Sequence, residues 1–333
     1  MTATIRPRPH LVCPNCPGAR QNALGWRNCP SCGEPYPRTV HGRPPPGYRP
    51  SKPHKLAART PAHLDPKIAA ALAVPLPANI DLSVHPAYDQ GQTSSCTAHA
   101  LMKCVEIVTA WRGSMRCLYA QAGAIEGDTA DDGREPLDCM QAIAAQGVAP
   151  YAGPTPDGRV SDVTPENATQ PVSPAEATAA DTNRINLGIA SIDPKSDNLS
   201  DLVVASLAVK APIYLGTLVD YAFEELQGQT VAQPTPPTEP DAGGHALTLC
   251  GVRTMPDGSR QFRVENSWGE SWDEAGECWA TLAWVAACSE LHPCVLQGAV
   301  VPAPPPAQPD HRSLLATLVA DIEAALAAIK AKL

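Results

Sequence analysis

Two segments of the sequence carry side chains that could together attack a carbonyl group. Cys96 stands directly ahead of a helical period, and His245 follows two glycines and opens an apolar run typical of a strand. An unperturbed thiol is only about 3% ionised at pH 7, but a helix N-terminus and a nearby imidazolium both favour the thiolate. The pair predicts nucleophilic catalysis, in which the thiolate attacks and the imidazole protonates the leaving amine. The apolar stripe of the predicted helix consists of Ala98, Leu101, Met102, Val105 and Val108.

The residues around this pair form three motifs in a fixed chain order. They are Asp89-Gln90-Gly91 with Ser95-Cys96-Thr97-Ala98, then Gly243-Gly244-His245, then Glu265-Asn266-Ser267-Trp268-Gly269 with Trp272 and Gly276 beyond it. In this order the motifs resemble the nucleophile, histidine and asparagine segments of papain-like cysteine peptidases, in particular the bacterial type. The resemblance covers residues 76 to about 290, and Asp132-Gly133-Arg134 matches the family's glycine-rich, substrate-binding ledge only in part.

The resemblance implies an α+β fold with two lobes, in which a helical lobe led by the Cys96 helix faces a β-barrel-like lobe. It implies that Cys96 is the nucleophile, that His245 is the acid and base, and that Asn266 orients the imidazole. Gln90 then holds the place of the oxyanion donor, and Trp268 shields the histidine–asparagine hydrogen bond from water. The implied reaction is hydrolysis of a peptide or protein substrate through an acyl-enzyme on Cys96.

A separate cysteine pattern lies near the N-terminus. Cys13-Pro-Asn-Cys16 and Cys29-Pro-Ser-Cys32 are two close pairs separated by twelve residues, and each two-residue gap lets both sulfurs reach one ion. Four thiolates leave no position open for a catalytic water. The pattern therefore predicts a zinc ribbon with a structural, non-catalytic Zn²⁺, which stabilises a segment too small to build its own core.

Composition divides the chain into four blocks. We predict a zinc ribbon over residues 1–40, a proline-rich basic linker over 41–75, the papain-like domain over 76–302, and a linker with an amphipathic helix over 303–333. The linker, with the run Pro44-Pro45-Pro46, is expected to be extended and solvated. Residues 1–60 hold ten Lys and Arg against one acid in a chain of net charge −9, so this arm can bind an acidic partner or the chain's own acidic domain.

Further elements are predicted outside the catalytic motifs. Residues 154–182 and 232–244 have loop-like composition, and the second stretch ends at the catalytic histidine. The C-terminal helix can pack on its own body or bind a partner. Cys104 and Cys250 lie in apolar runs and are expected to be small core side chains. One face of the C-terminal helix carries Leu314, Leu318, Ile322, Leu326, Ile329 and Leu333.

The sequence also bears on compartment and on alternative functions. It has no secretory signal and no apolar run of membrane-spanning length, so we expect a cytoplasmic protein with reduced thiols. One alternative is a thiol amide-bond transferase, because an amine can intercept an acyl-enzyme. A second is a papain-fold binding or scaffold protein with little turnover, acting through the zinc ribbon and the C-terminal helix. A nucleic-acid-binding zinc protein is the least favoured, since only the basic arm supports it.

Overall fold

The computed structural model describes the central part of the chain. The described residues are 47–53, 55, 64–151, 161–189, 191–235 and 242–297. The predicted zinc ligands Cys13, Cys16, Cys29 and Cys32 lie outside the described residues, and so does the predicted C-terminal helix.

Helices dominate the first half of the described chain. In chain order they are α1 Pro66–Leu72, α2 Cys96–Thr109, α3 Met115–Glu126, α4 Pro136–Ala145, α5 Pro174–Asp181, α6 Leu199–Ala208, and the single turns α7 Tyr221–Glu224 and α8 Leu282–Val285. The helix predicted after Cys96 is confirmed as α2, and its apolar stripe is buried apart from the half-buried Val108. Among the described helices, none is long and apolar enough to cross a membrane.

Strands dominate the second half and form one antiparallel sheet. They are β1 Ile80–Asp81, β2 Leu187–Ile189, β3 Ile213–Val219, β4 Gly243–Thr254, β5 Arg260–Glu265, β6 Glu277–Thr281 and β7 Glu290–Leu296. Their order is β2-β7-β3-β4-β5-β6, and β1 pairs with the far end of β4. The register places Gly216 of β3 between Ala246 of β4 on one side and Glu290 of β7 on the other. The predicted α+β fold class is confirmed.

The helical and strand halves have separate apolar cores that meet where α2 packs on the sheet. Two buried hydrogen bonds fix this contact. The Thr248 hydroxyl on β4 donates to the Ala100 carbonyl over 2.9 Å, and the Tyr214 hydroxyl on β3 donates to the Thr97 carbonyl over 3.0 Å. Because these carbonyls belong to the first two turns of α2, the contact holds the N-terminal end of the helix against β3 and β4.

The predicted loop over residues 154–182 is wrong in its last part, because α5 begins at Pro174. Ser173 and Glu176 form a reciprocal capping box, and proline occupies the first turn, where its missing N–H costs nothing. Glu176 also accepts from Arg116 Nε over 2.7 Å in a buried ion pair. The composition of this stretch suggested a loop. The capping box and the ion pair to Arg116 stabilise a helix there instead.

The prediction of an extended, solvated linker over residues 41–75 is wrong in two respects: helix α1 lies within this range, and several of its described side chains are buried. Tyr48 and Ser51 are buried against the body, and Ile68 of α1 joins a small core with Ala205 and Val295. Proline restricts the backbone around Tyr48 but does not keep this stretch in solvent. The backbone groups of the other residues and the Tyr48 hydroxyl can still form hydrogen bonds with the body. Cys104 and Cys250 are fully buried, as predicted, and the eight described cysteines are all free thiols.

Candidate active site

Cys96 is the first residue of α2, preceded by the N-cap Ser95, and its side chain is 0% exposed. Burial raises the pKa of the thiol to about 11, although hydrogen bonding from the backbone of Ala246, Gly47 and Thr97 partly offsets this. The sequence predicts a thiolate favoured by the helix N-terminus, but in this closed arrangement desolvation outweighs the helix dipole. Cys96 is therefore a neutral thiol here.

His245 lies on β4, also 0% exposed, and its ring stacks on Trp268 with 4.7 Å between the ring centroids. Its Nε2 is 2.8 Å from Asn266 Oδ1. Burial lowers the pKa of the imidazole to about 4, while the bond to Asn266 acts in the opposite direction. Among the described residues, its other ring nitrogen, Nδ1, has no hydrogen-bond partner.

The orientation of the Asn266 amide decides which ring nitrogen of His245 carries the proton. The Ser267 backbone N–H donates to Asn266 Oδ1 over 2.7 Å, so this atom is the carbonyl oxygen and accepts from His245 as well. His245 Nε2 is then the N–H, and Nδ1 presents a lone pair. Trp268 covers one side of the ring and packs edge-on against Phe223 and Trp272, which keeps water from the bond.

Gln90 links the loop before α2 to the loop after β5. Its backbone N–H donates to the Ser267 carbonyl over 2.8 Å, and its side-chain oxygen accepts from the Ser267 hydroxyl over 2.7 Å. Its Nε2 donates to the Thr93 carbonyl over 2.7 Å. These bonds use one of the two N–H groups of the amide and fix its position.

The structure brings the five sequence-predicted site residues into one region. The Ala246 backbone, next to His245, hydrogen-bonds the Cys96 thiol, while Asn266 and Trp268 contact the His245 ring directly. Gln90 joins the same region through Ser267. A thiol, an imidazole with an unpaired nitrogen and an anchored amide form a set that can carry out acyl transfer.

From the sequence, the basic arm was expected to bind an acidic partner or the chain's own acidic domain, and in the structure residues 47–49 of this arm lie in the site. The Gly47 carbonyl accepts from the Arg134 N–H over 3.0 Å, and the Arg49 N–H donates to the Arg134 carbonyl over 3.1 Å. On the opposite wall, the Tyr48 N–H donates to the Gly244 carbonyl over 3.1 Å, one residue before His245. The extended segment thus spans both halves of the cleft, and its glycine hydrogen-bonds the Cys96 thiol.

A pocket beside the candidate catalytic residues holds the tyrosine of this segment. Tyr48 is 5% exposed, and its hydroxyl donates to Glu290 Oε1 over 2.7 Å. The other carboxylate oxygen is 2.7 Å from His292 Nε2, and His292 Nδ1 is 3.0 Å from the Ser191 hydroxyl. The only sequence signal for this contact is an aromatic side chain in an otherwise proline-rich basic stretch, because its partner lies 242 residues away.

In the part of the chain that the structure describes, two groups of side chains have ligand atoms close enough for a metal ion, namely Cys250 with Glu265 and Glu277, and Glu126 with Glu135 and Asp138. Cationic side chains lie against both groups. Lys103 Nζ is 3.0 Å from Glu265, and Lys55 Nζ is 2.9 Å from Glu135 and 2.6 Å from Asp138. Their charge is therefore already balanced by protein side chains.

Comparison with solved structures agrees on the fold. Xylellain, a cysteine protease from Xylella fastidiosa, covers 78% of this chain and 100% of its own, with 24% identity and a TM-score of 0.60. Procathepsin B S9 from Trypanosoma congolense covers 83% and 93% at 14% identity and a TM-score of 0.57. The bromelain protease from Ananas comosus, in complex with the E64 inhibitor, covers 66% and 100% at 19% identity and a TM-score of 0.51.

No protein-family model matches the chain, and no curated protein sequence matches it either. The likeness is therefore one of structure at low sequence identity. In this chain, the shared fold consists of a helical half led by α2 and an antiparallel sheet, with His245 on β4 and Asn266 directly after β5. The chain has the fold of the papain-like cysteine proteases.

Proposed function

We propose that the protein is a cysteine peptidase in which Cys96 is the nucleophile and His245 is the acid and base. The observation that carries this proposal is the hydrogen bond from His245 Nε2 to Asn266, which leaves Nδ1 unpaired among the described residues. The next residue, Ala246, contacts the Cys96 thiol at the start of α2 through its backbone. A buried polar atom without a partner is costly. An unpaired Nδ1 at this position is consistent with a role of His245 in proton transfer.

The proposed reaction uses these atoms in order. His245 Nδ1 takes the proton of the Cys96 thiol, and the sulfur attacks the peptide carbonyl, whose oxygen becomes an oxyanion. The second N–H of Gln90 Nε2 and the Cys96 backbone N–H stabilise that charge. The imidazolium returns its proton to the leaving amine as the C–N bond breaks. Water, deprotonated by His245, then hydrolyses the thioester and restores the thiol.

The roles of Asn266 and Trp268 in the proposal are positional. Asn266 holds the tautomer in which Nδ1 accepts a proton, and Trp268 excludes water from the bond that does so. An amide partner stabilises the imidazolium less than a carboxylate would. In the proposal, the thiolate of Cys96 is therefore stabilised by the helix N-terminus and by the positive charge of the imidazolium, once the linker has left the cleft.

The test is detection of the covalent intermediate. Full-length protein carrying Tyr48→Ala, which removes the buried side chain of the linker, would be mixed with a peptide ester and quenched with acid within a second. We expect intact mass analysis to show the acyl group, and peptide mapping to place it on Cys96. The Cys96→Ala version should remain unmodified, whereas Cys117→Ala, which changes another buried thiol, should be acylated normally.

Two outcomes would count against the peptidase proposal. Acylation spread over several cysteines would mean that Cys96 is not activated. An unmodified protein, despite an epoxide thiol trap reaching Cys96 in the same variant, would favour the scaffold alternative, in which the fold is kept without turnover. An acyl-enzyme that reacts faster with an added amine than with water would favour the transferase.

The zinc ribbon remains a proposal that rests on the spacing of Cys13, Cys16, Cys29 and Cys32. Its test is the zinc content of the full-length protein, expected at about one ion per chain. Cys13→Ser should lower that content, while Cys104→Ser, which changes a buried core thiol, should leave it unchanged. Equal zinc contents in these two variants would disprove the assignment.

A further inference from the structure

Residues 47–49, which lie in the cleft, are held there by close and specific contacts. A Cβ atom built on Gly47 would lie 1.9 Å from the Ser94 carbonyl oxygen, and one on Gly133 would lie 1.9 Å from the Gly47 carbonyl oxygen. Both distances are far inside van der Waals contact, so only glycine fits at either place. The backbone of residues 47–49 therefore lies as close to the wall beside Cys96 as a polypeptide can.

The tyrosine that follows fits its pocket in shape as well as in polarity. A Cβ on Gly216 would lie 2.2 Å from the Tyr48 ring, and one on Gly244 would lie 2.3 Å from the Tyr48 carbonyl oxygen. Gly216 is paired with Ala246 on β4 and with Glu290 on β7. Adjacent strands are about 4.8 Å apart, so the backbone of Glu290 lies about 10 Å from the backbone of Ala246, the residue after His245.

The floor of the pocket is an ionised acceptor. Burial acts to raise the pKa of Glu290, but hydrogen bonds and charge from His292, with further bonds from Ser51 and Tyr48, lower it below its usual value. The Ser51 backbone N–H shares the same oxygen as the Tyr48 hydroxyl, over 3.0 Å. A phenol can donate to this oxygen, whereas phenylalanine or leucine would leave a buried carboxylate oxygen short of a donor.

Basic side chains follow the tyrosine and meet an acidic rim. Arg49 contacts Glu126 and lies 3.0 Å from Asp128, and Lys52 lies 3.2 Å from Glu135. Lys55 also binds Glu135, together with the buried Asp138. The rim therefore presents carboxylates to the basic side chains that follow Tyr48 in the chain.

We infer that Glu290 is a specificity-determining residue of the cleft, and that the cleft accepts peptides with a tyrosine in the Glu290 pocket and basic residues against the acidic rim. The inference rests on the proposed function and names its substrate class. The described residues of the chain's own linker have these features, with Gly47 at the thiol, Tyr48 in the pocket, and Arg49, Lys52 and Lys55 beyond.

Binding can be measured without turnover. The full-length Tyr48→Ala, Cys96→Ala double variant would be titrated with fluorescent peptides of sequence Gly-Tyr-Arg-Pro-Ser-Lys and its reverse, each paired with a version in which Phe replaces Tyr. Because hydrogen bonds to charged groups are among the strong ones, we expect the Tyr peptide of at least one order to bind about ten-fold more tightly than its Phe version. Adding Glu290→Gln should reduce that ratio to about two.

A steric variant covers the case in which the Glu290 substitution prevents folding. Gly216→Ala places a methyl group where the tyrosine ring lies and changes no charge, and it should also abolish the Tyr preference. Equal binding of Tyr and Phe peptides in both orders would overturn the inference, as would a preference that survives Glu290→Gln and Gly216→Ala. Hydrolysis by the Cys96 form would be measured with the same peptides. A Tyr preference in binding without hydrolysis would refute the peptidase proposal alone, and hydrolysis without a Tyr preference would refute the inference alone.

Discussion

Two buried histidines, His245 and His292, lie on strands of the same sheet, and their hydrogen-bond partners differ in a way that fits a proposed reactive site at His245 and a proposed recognition site at His292. His245 has a neutral amide at Nε2 and, among the described residues, nothing at Nδ1. His292 has the Glu290 carboxylate at Nε2 and the Ser191 hydroxyl at Nδ1. A ring with one unpaired nitrogen can move a proton, whereas a ring bonded at both nitrogens holds its neighbour in place.

Cys96 and Glu290, the side chains paired with these two histidines in the proposals, differ in the same way. Cys96 is a neutral thiol because the linker and the sheet exclude water from it, whereas Glu290 stays ionised at similar burial because several donors converge on it. The recognition site is therefore complete with the linker in the cleft. In the proposed mechanism, the linker has to leave the cleft so that water can reach the Cys96 thiol and lower its pKa.

The largest effect should follow from removing the proton-transfer group. In the Tyr48→Ala full-length background, His245→Ala should lower kcat/KM by at least about a thousand-fold, because neither thiol activation nor protonation of the leaving amine then has a group to perform it. Peptide turnover measures this. His85→Ala, which removes an exposed histidine, is the control and should retain turnover. Less than a ten-fold loss in His245→Ala would show that His245 is not the base.

The next effect should follow from emptying the recognition pocket. Tyr48→Ala loses the burial of a large aromatic ring and a bond to an ionised carboxylate, together about 3 kcal/mol, so an epoxide trap should label Cys96 about a hundred-fold faster in the variant. Tyr48→Phe removes only the hydroxyl and should show a smaller increase. Equal labelling rates in wild type and Tyr48→Ala would mean that the linker does not control access.

The same labelling has a defined pH dependence. Only the thiolate reacts, and with a pKa of about 11 roughly one thiol in ten thousand is ionised at pH 7 in the closed protein. Labelling of the wild type should therefore still be rising above pH 9, whereas in Tyr48→Ala the rising part of the curve should lie at lower pH, because water and the imidazole reach the sulfur. Superimposed pH profiles would contradict this.

The labelling experiments test how Tyr48 is held in the cleft, a contact that the sequence did not specify. The motifs around Cys96, His245 and Asn266 were predictable because each combines a catalytic residue type with a local helix or strand period, and the fold then places them together. Those motifs do not indicate how deeply the Cys96 thiol is buried. The sequence therefore suggested an activated thiol, while the structure shows a neutral one at Cys96.

The recognition pocket was unpredictable for a different reason. Its floor, Glu290, and its occupant, Tyr48, are separated by most of the chain, and the composition around Tyr48 favours a solvated linker. Helix α5 was missed for a related reason, since a tertiary ion pair from Glu176 to Arg116 adds to what local propensity supplies. In both cases, the structure depends on a polar contact between residues far apart in the sequence.

A more direct test of the comparison is to give His245 the kind of partner that His292 has. Asn266→Asp places a carboxylate at Nε2, which favours the imidazolium and so should raise the pKa of His245 from about 4 by one unit or more. In the Tyr48→Ala background, the pH profile of turnover should shift to higher pH on the limb governed by His245, by roughly one unit. Asn266→Gln, which keeps an amide, should lower turnover without that shift, and an unshifted profile in Asn266→Asp would show that another group sets the limb.

The smallest effect should come from the basic residues of the linker, because partly exposed ion pairs are weak and screened by salt. Lys55→Ala removes the contacts to Glu135 and Asp138, so labelling of Cys96 in the otherwise wild-type chain should become about three-fold faster at low ionic strength. Raising the salt concentration should accelerate the wild type and bring the two rates together. Lys67→Ala is the matched control, because that lysine contacts the Leu296 carbonyl away from the cleft. A salt-independent wild-type rate would mean that the tyrosine pocket alone holds the linker, which would place the whole closing interaction at Glu290 and none of it at the acidic rim.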